Sequence, residues 1–204
     1  CHNPELITGD SDCPAFINET WVFDFLEKRK GLLDGVVISG GEPTLQKDLS
    51  ELCDKLKNLG FPIKVDTNGS RPRVIESLVA SGLVDYIAMD IKTEPDAYSP
   101  LIKSTFDPDK LLESIRIVME SGIDYEFRTT CIKPLVDEKV IRSISKLIEG
   151  SPLYALQRFR DDKVLRPDFF RCGAGDFHGS GLSDSELARL QSIAASYVES
   201  CIVR

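Results

Sequence analysis

The sequence predicts an α/β fold, a partial (βα)6 TIM-like barrel with parallel strands. Three observations lead there. Short apolar strand-like runs alternate with amphipathic helical runs along the chain, and strand–helix–strand repeats fold as right-handed units around a parallel sheet. Several of these strands are apolar on one face and charged on the other, so one face packs against helices while the other lines a polar hollow. Finally, no linker, low-complexity tract or short repeat interrupts the 204 residues. A single domain over 1–204 is therefore expected.

The elements follow in order. A helix is predicted over 19–30, and a strand over 35–39, GVVIS, which runs straight into GGEP. Leu45, Leu49, Leu52, Leu56 and Leu59 recur at steps of four and three, the period of a helix over 45–59. A strand at 61–67 and a helix at 71–81 come next, then a strand at 84–91. The helix over 107–121 shows Leu111, Ile115 and Val118 on one face. Asp107-Pro108 opens it as cap and first-turn proline, and Gly122 closes it. A strand at 124–130, a helix at 137–149 and a strand at 153–159 complete the alternation. The stretch 161–182 reads as a loop, and Ser183 with Glu186 forms a possible capping box for a last helix over 183–201. Five strands are visible, and a sixth is expected ahead of Cys1.

The two-faced strands locate a candidate site. Side chains alternate with period two, so Lys64, Asp66 and Asn68 share a face, as do Tyr86, Ala88, Asp90 and Lys92, and Glu126, Arg128 and Thr130. A closed small barrel is filled with branched apolar residues. Here five charges, Asp66, Asp90, Lys92, Glu126 and Arg128, would point inward. Unpaired buried charges cost several kcal/mol each, so these must pair with one another or with a polar ligand. They lie toward the C-terminal ends of the strands, where parallel α/β folds bind ligands.

Composition narrows the function classes. Net charge is −8, which disfavours nonspecific binding to nucleic acid or to an anionic membrane surface. The longest apolar runs are strand-sized, so no segment is expected to span a bilayer, and no signal peptide is visible. Six cysteines are scattered without a framework spacing, which suits a reduced, cytoplasmic protein. Cys53, Cys131 and Cys201 are expected to pack. Cys172 and His178 share a glycine-rich loop, a weak metal pattern.

GGEP is the most informative turn. Gly40 and Gly41 end a strand with bare backbone, which permits unusual dihedrals and close approach of a ligand. Glu42 adds a carboxylate suited to an ammonium group, and Pro43 bends the chain away. A tight βα turn with no ligand is the plainer alternative.

Taken in order, CHNPEL at the start, SGGEP, DTNG at 66–69 and MDIK at 89–92 resemble one family, the radical S-adenosylmethionine (SAM) superfamily. The nearest likeness is to activating enzymes of glycyl-radical proteins, especially those of anaerobic ribonucleotide reductase. The resemblance implies a 4Fe–4S cluster held by three thiolates of a C-x-x-x-C-x-x-C loop. Cys1 resembles the third ligand; the other two, with the first strand, would lie upstream. It also implies that Gly40, Gly41, Glu42 and Pro43 receive the SAM ammonium, and that Asn3, Asp66, Asn68, Asp90, Lys92 and Arg128 contact its carboxylate, ribose or sulfonium region. Asp90 and Lys92 match the family's D-x-K strand, and Gln157 is a further candidate. No catalytic acid or base beyond the cofactor is implied. The implied partners are a glycyl-radical enzyme and a flavodoxin- or ferredoxin-type electron donor, with no nucleic acid and no membrane.

Three other functions stay open at this point. One is a radical SAM enzyme acting on a small molecule or peptide, and another is a cluster-free binding protein that keeps the fold. The last is a barrel lyase using Lys92 as a Schiff base, which the neighbouring Asp90 disfavours because it keeps the lysine charged.

Overall fold

The computed structural model describes residues 17–98, 107–160 and 181–204. Six strands form one sheet in the order of the chain: β1 (Val36–Ile38), β2 (Ile63–Thr67), β3 (Tyr86–Asp90), β4 (Asp124–Cys131), β5 (Tyr154–Arg158) and β6 (Cys201–Val203). Every neighbouring pair is parallel. The sheet is open between β1 and β6 among the described residues, as expected of a partial barrel.

Helices α1 (Glu19–Glu27), α2 (Leu49–Asn58), α3 (Pro72–Ala80), α4 (Pro108–Met119), α5 (Glu138–Leu147) and α6 (Asp184–Ala194) alternate with the strands. Their ends follow capping chemistry. Asp107 accepts from the Asp109 amide and Asp137 from the Val140 amide, each satisfying a donor the first turn leaves free. Ser183 and Glu186 form the reciprocal capping box that their spacing predicts.

The sheet's outer face is the apolar core. Ile63, Val65, Ile87, Met89, Phe127 and Leu156 are essentially sealed from water by the helices. Burying such side chains contributes roughly 1.5–3 kcal/mol each, which fixes the register, since a one-residue slip would turn the charged set into the core.

Two boundaries differ from the sequence expectation. The stripe assigned to 45–59 is broken: Pro43–Leu45 forms a separate 3-10 turn and α2 starts only at Leu49. Leu45 is therefore off the helix and half exposed. The helix expected over 183–201 ends at Ala194, and the chain turns into β6. Pairing decides this: the Tyr154 amide donates to Ser200 O at 2.9 Å and the Arg204 amide to Leu156 O at 2.9 Å. The sixth strand seen here is thus C-terminal. The strand expected ahead of Cys1 lies outside the sequence. Most of the loop 161–182 lies outside the described residues, apart from a bridge between Ile132 and Gly181.

Candidate functional site

The inner face carries the charges, in two tiers. In the upper tier Arg128 on β4 reaches across the sheet. Its Nε donates to Asp90 Oδ1 at 2.7 Å and its Nη1 to Asp66 Oδ2 at 3.1 Å. Lys92, just past β3, donates from Nζ to Asp90 Oδ2 at 2.8 Å. Four of the predicted residues thus form one network across three strands. Burial works against ionisation of Asp90, but Lys92 and Arg128 outweigh it and hold the carboxyl below the usual carboxylate range.

The lower tier forms a floor that the sequence reading did not assemble. Glu126 is fully buried, with Lys64 Nζ at 2.9 Å from Oε1 and Arg204 Nη2 at 2.9 Å from Oε2. Burial opposes its ionisation, and these two cations again prevail. Lys64 also sits over the Tyr86 ring, 4.9 Å from its centre. Arg204 gives no signal in sequence because residues 202–204 follow the expected helix and read as no element.

The GGEP turn adjoins the upper tier through β2. Gly40 adopts φ +143°, a conformation that favours glycine. A Cβ built at Gly40 or Gly41 would meet no atom of the described residues within 4 Å, so the backbone there is open on their side. Glu42 is buried and turned inward. Its Oε1 accepts from the Thr44 amide at 3.2 Å, Thr44 Oγ1 at 2.5 Å and Thr67 Oγ1 at 2.8 Å, while Oε2 accepts from the Asn68 amide at 2.7 Å. Pro43, also buried, starts the 3-10 turn. The Asn68 side chain stays at the edge, its Oδ1 accepting from the Ser70 amide at 2.9 Å. Gln157 lies one strand further along, near Thr130 Oγ1 at 3.4 Å, and no bond joins it to the network. Cys1 and Asn3 lie outside the described residues.

Two carboxylate oxygens of the site lack a hydrogen bond among the described residues, Glu126 Oε2, which Arg204 Nη2 still approaches to 2.9 Å, and Asp66 Oδ1, which has no cation so near. Asp66 Oδ1 is buried and accepts no hydrogen bond among the described residues; Lys64 Nζ stands 3.9 Å away. Buried carboxylate oxygens are normally satisfied. A ligand hydroxyl or ammonium would complete it. An orphaned acceptor beside an open glycine backbone suits a compound with an ammonium and hydroxyls, as SAM has.

The described thiols pack in the core. Cys53, Cys131 and Cys201 lie among apolar side chains, where burial pushes them up to about 11, about 12 and about 11. Among the described residues no group of three or more His, Cys, Asp or Glu could hold a metal ion. Cys172 and His178 lie outside the described residues.

A family model described as the radical SAM superfamily matches residues 22–147, which takes in β1 through α5. The chain belongs to the radical SAM superfamily. Its members are enzymes that use a 4Fe–4S cluster and SAM. A Methanocaldococcus jannaschii protein carrying the name glycyl-radical enzyme activating enzyme is 36% identical over 176 residues, covering 84% of this chain and 70% of its own length. A 7-carboxy-7-deazaguanine synthase of Thermococcus kodakarensis is 37% identical over 114 residues, 53% of this chain and 42% of its own. Among solved structures, a domain of pyruvate-formate lyase-activating enzyme from Bacteroides vulgatus superposes with a TM-score of 0.65 at 18% identity, covering 84% of this chain and 99% of that one. Parallel strands and alternating helices are common to both. Among the described residues no helix is long and apolar enough to cross a membrane.

Proposed function

We propose that this radical SAM chain installs a glycyl radical on an anaerobic ribonucleoside-triphosphate reductase or a similar glycyl-radical enzyme. The observation that carries the cofactor half of this reading is the open Gly40–Gly41 backbone beside the orphaned Asp66 Oδ1. The likeness to the M. jannaschii activating enzyme over most of both chains supports the partner half. When bound, the cluster supplies one electron and SAM a sulfonium whose C–S bond breaks to methionine and a 5′-deoxyadenosyl radical.

The protein's own groups bind and orient. Carbonyl groups of Gly40 and Gly41 take the ammonium. Lys92, the most exposed cation of the upper tier, turns from Asp90 to the methionyl carboxylate, which leaves Asp90 paired to Arg128. Asp66 Oδ1, Asn68 and Gln157 would bind the ribose hydroxyls, and the resemblance assigns Cys1 to the cluster and Asn3 to SAM. Asp90, still held by Arg128 Nε at 2.7 Å, serves as a hydrogen-bond acceptor. Hydrogen-atom transfer requires no acid or base from the protein, so the charged groups of the site bind and orient. The partner contributes the glycine, and a flavodoxin- or ferredoxin-type protein the electron. A cytoplasmic setting suits such chemistry.

The deazaguanine synthase relative favours a second reading, a small-molecule substrate. Anoxic reconstitution with iron and sulfide, then dithionite and SAM, separates the two. Equal yields of methionine and 5′-deoxyadenosine are expected, with a glycyl-radical doublet in the electron paramagnetic resonance spectrum once the reductase is added. Cleavage without that doublet points to the small molecule; absence of cleavage refutes both. Lys92→Ala should weaken SAM binding at least tenfold with the fold intact, and unchanged affinity would remove Lys92 from the site.

A further inference from the structure

Glu42 is part of a longer chain of hydrogen bonds. Thr67 Oγ1 donates to Glu42 and accepts from the Gly69 amide at 3.2 Å. The Gly69 carbonyl in turn accepts from Ser114 Oγ at 2.7 Å. Ser114 belongs to α4, the helix joining β3 to β4, and is buried among its apolar residues. A buried helical serine ordinarily bonds back to the preceding turn of its own helix. This one spans to a loop 45 residues away in sequence.

Gly69 sits at φ +74°, a conformation that favours glycine, and a Cβ there would crowd the end of the Met89 side chain. All three bonds of the path are buried, where hydrogen bonds are electrostatically stronger than in water. The path runs from Ser114 through Gly69 and Thr67 to Glu42, which closes it onto the turn carrying Gly40 and Gly41. Of the four bonds to the Glu42 carboxylate, Thr67 supplies one, the Asn68 amide one and Thr44 two.

We infer that Thr67 and Ser114 are positioning residues that set the ligand-facing Gly40–Gly41 backbone through Glu42, which acts as a latch and not as the charge partner of the ligand. This rests on the proposed SAM site, but the latch itself can be tested without it. Thr67→Val keeps the shape and removes the hydroxyl; Thr67→Ser restores it. Ser114→Ala breaks the far end of the same path, and Ile141→Val on α5 gives a matched packing loss elsewhere.

Amide hydrogen exchange on the ligand-free protein should show protection at Asn68 and Thr44 falling about tenfold in Thr67→Val, less in Ser114→Ala, with Thr67→Ser near native. SAM titration of the cluster-loaded protein should show affinity falling in the same order, with Ile141→Val unaffected. Unchanged protection at both amides overturns the latch. Lost protection with unchanged affinity overturns the positioning role. Affinity lost in Glu42→Ala but kept in Thr67→Val shows Glu42 touching the ligand directly and also overturns it. If the native protein binds no SAM, the cofactor reading falls and takes the positioning role with it, while exchange still decides whether the latch exists.

Discussion

Replacing Arg128 with methionine tests the polar inner face most directly. Among the described residues Arg128 is the single bridge between Asp66 on β2 and Asp90 on β3, and its side chain is only 12% exposed. Each charge pair at such separation is attracted by about 4 kcal/mol at an effective dielectric of ~20. Part of this is returned because one cation no longer has to be desolvated. Breaking a buried pair by removing one partner costs ~3–5 kcal/mol net, and the low end, about 3 kcal/mol, fits here because Asp90 keeps Lys92.

The loss depends on pH in a direction fixed by Asp90. Its folded carboxyl lies below the unfolded value of about 3.9, so it contributes stability in full above that value and loses it as pH falls through the lower folded one. In Arg128→Met one of the two cations that offset burial is gone, and the carboxyl rises. The gap between native and variant is therefore largest near neutral pH and narrows as pH drops into the carboxylate range. Urea unfolding followed by circular dichroism at several pH values measures it, with a midpoint shift on the order of 1 M expected at neutral pH. A gap below about 1 kcal/mol, or one that does not change with pH, would refute the claim that these pairs hold the inner face together.

Two further outcomes are expected. Gly40→Ala forces a side chain into φ +143° and fills the open space beside the turn; strain of roughly 1–3 kcal/mol should lower the thermal midpoint, and calorimetric titration should show SAM affinity reduced at least tenfold. Native affinity in that variant would mean the ligand does not approach this backbone. Iodoacetamide at neutral pH should leave Cys53, Cys131 and Cys201 unmodified in the folded chain, because burial holds all three as thiols at about 11 to about 12. Mass spectrometry of the digest reads this, and rapid labelling of any of them would show that the core opens there.

Much of this was legible in sequence because periodicity carries it. Alternation along 61–67 and 84–91 separated Ile63, Val65, Ile87 and Met89 from Lys64, Asp66 and Asp90, and the structure keeps that division. Capping residues marked the starts of α4 and α6 for the same local reason. The failures were nonlocal. Nothing near Leu45 announces that a 3-10 turn will remove it from the leucine stripe, and β6 forms only because β5 offers an edge for it. Ser114 and Thr67 carry no signal in sequence, since their partners stand 45 and 25 residues away.

The sequence by itself determined the alternating α/β order, the two-faced strands and the glycine turn that place a polar site at the strand ends, because each depends on neighbours within a few residues. Only the tertiary structure decided which charges meet. The sheet brings Arg128 between Asp66 and Asp90. The same holds for Glu42, whose carboxylate is satisfied from β2. Hydrogen bonds and ion pairs act over about 3 Å, a distance that the order of residues along a chain does not encode until the strands are laid side by side.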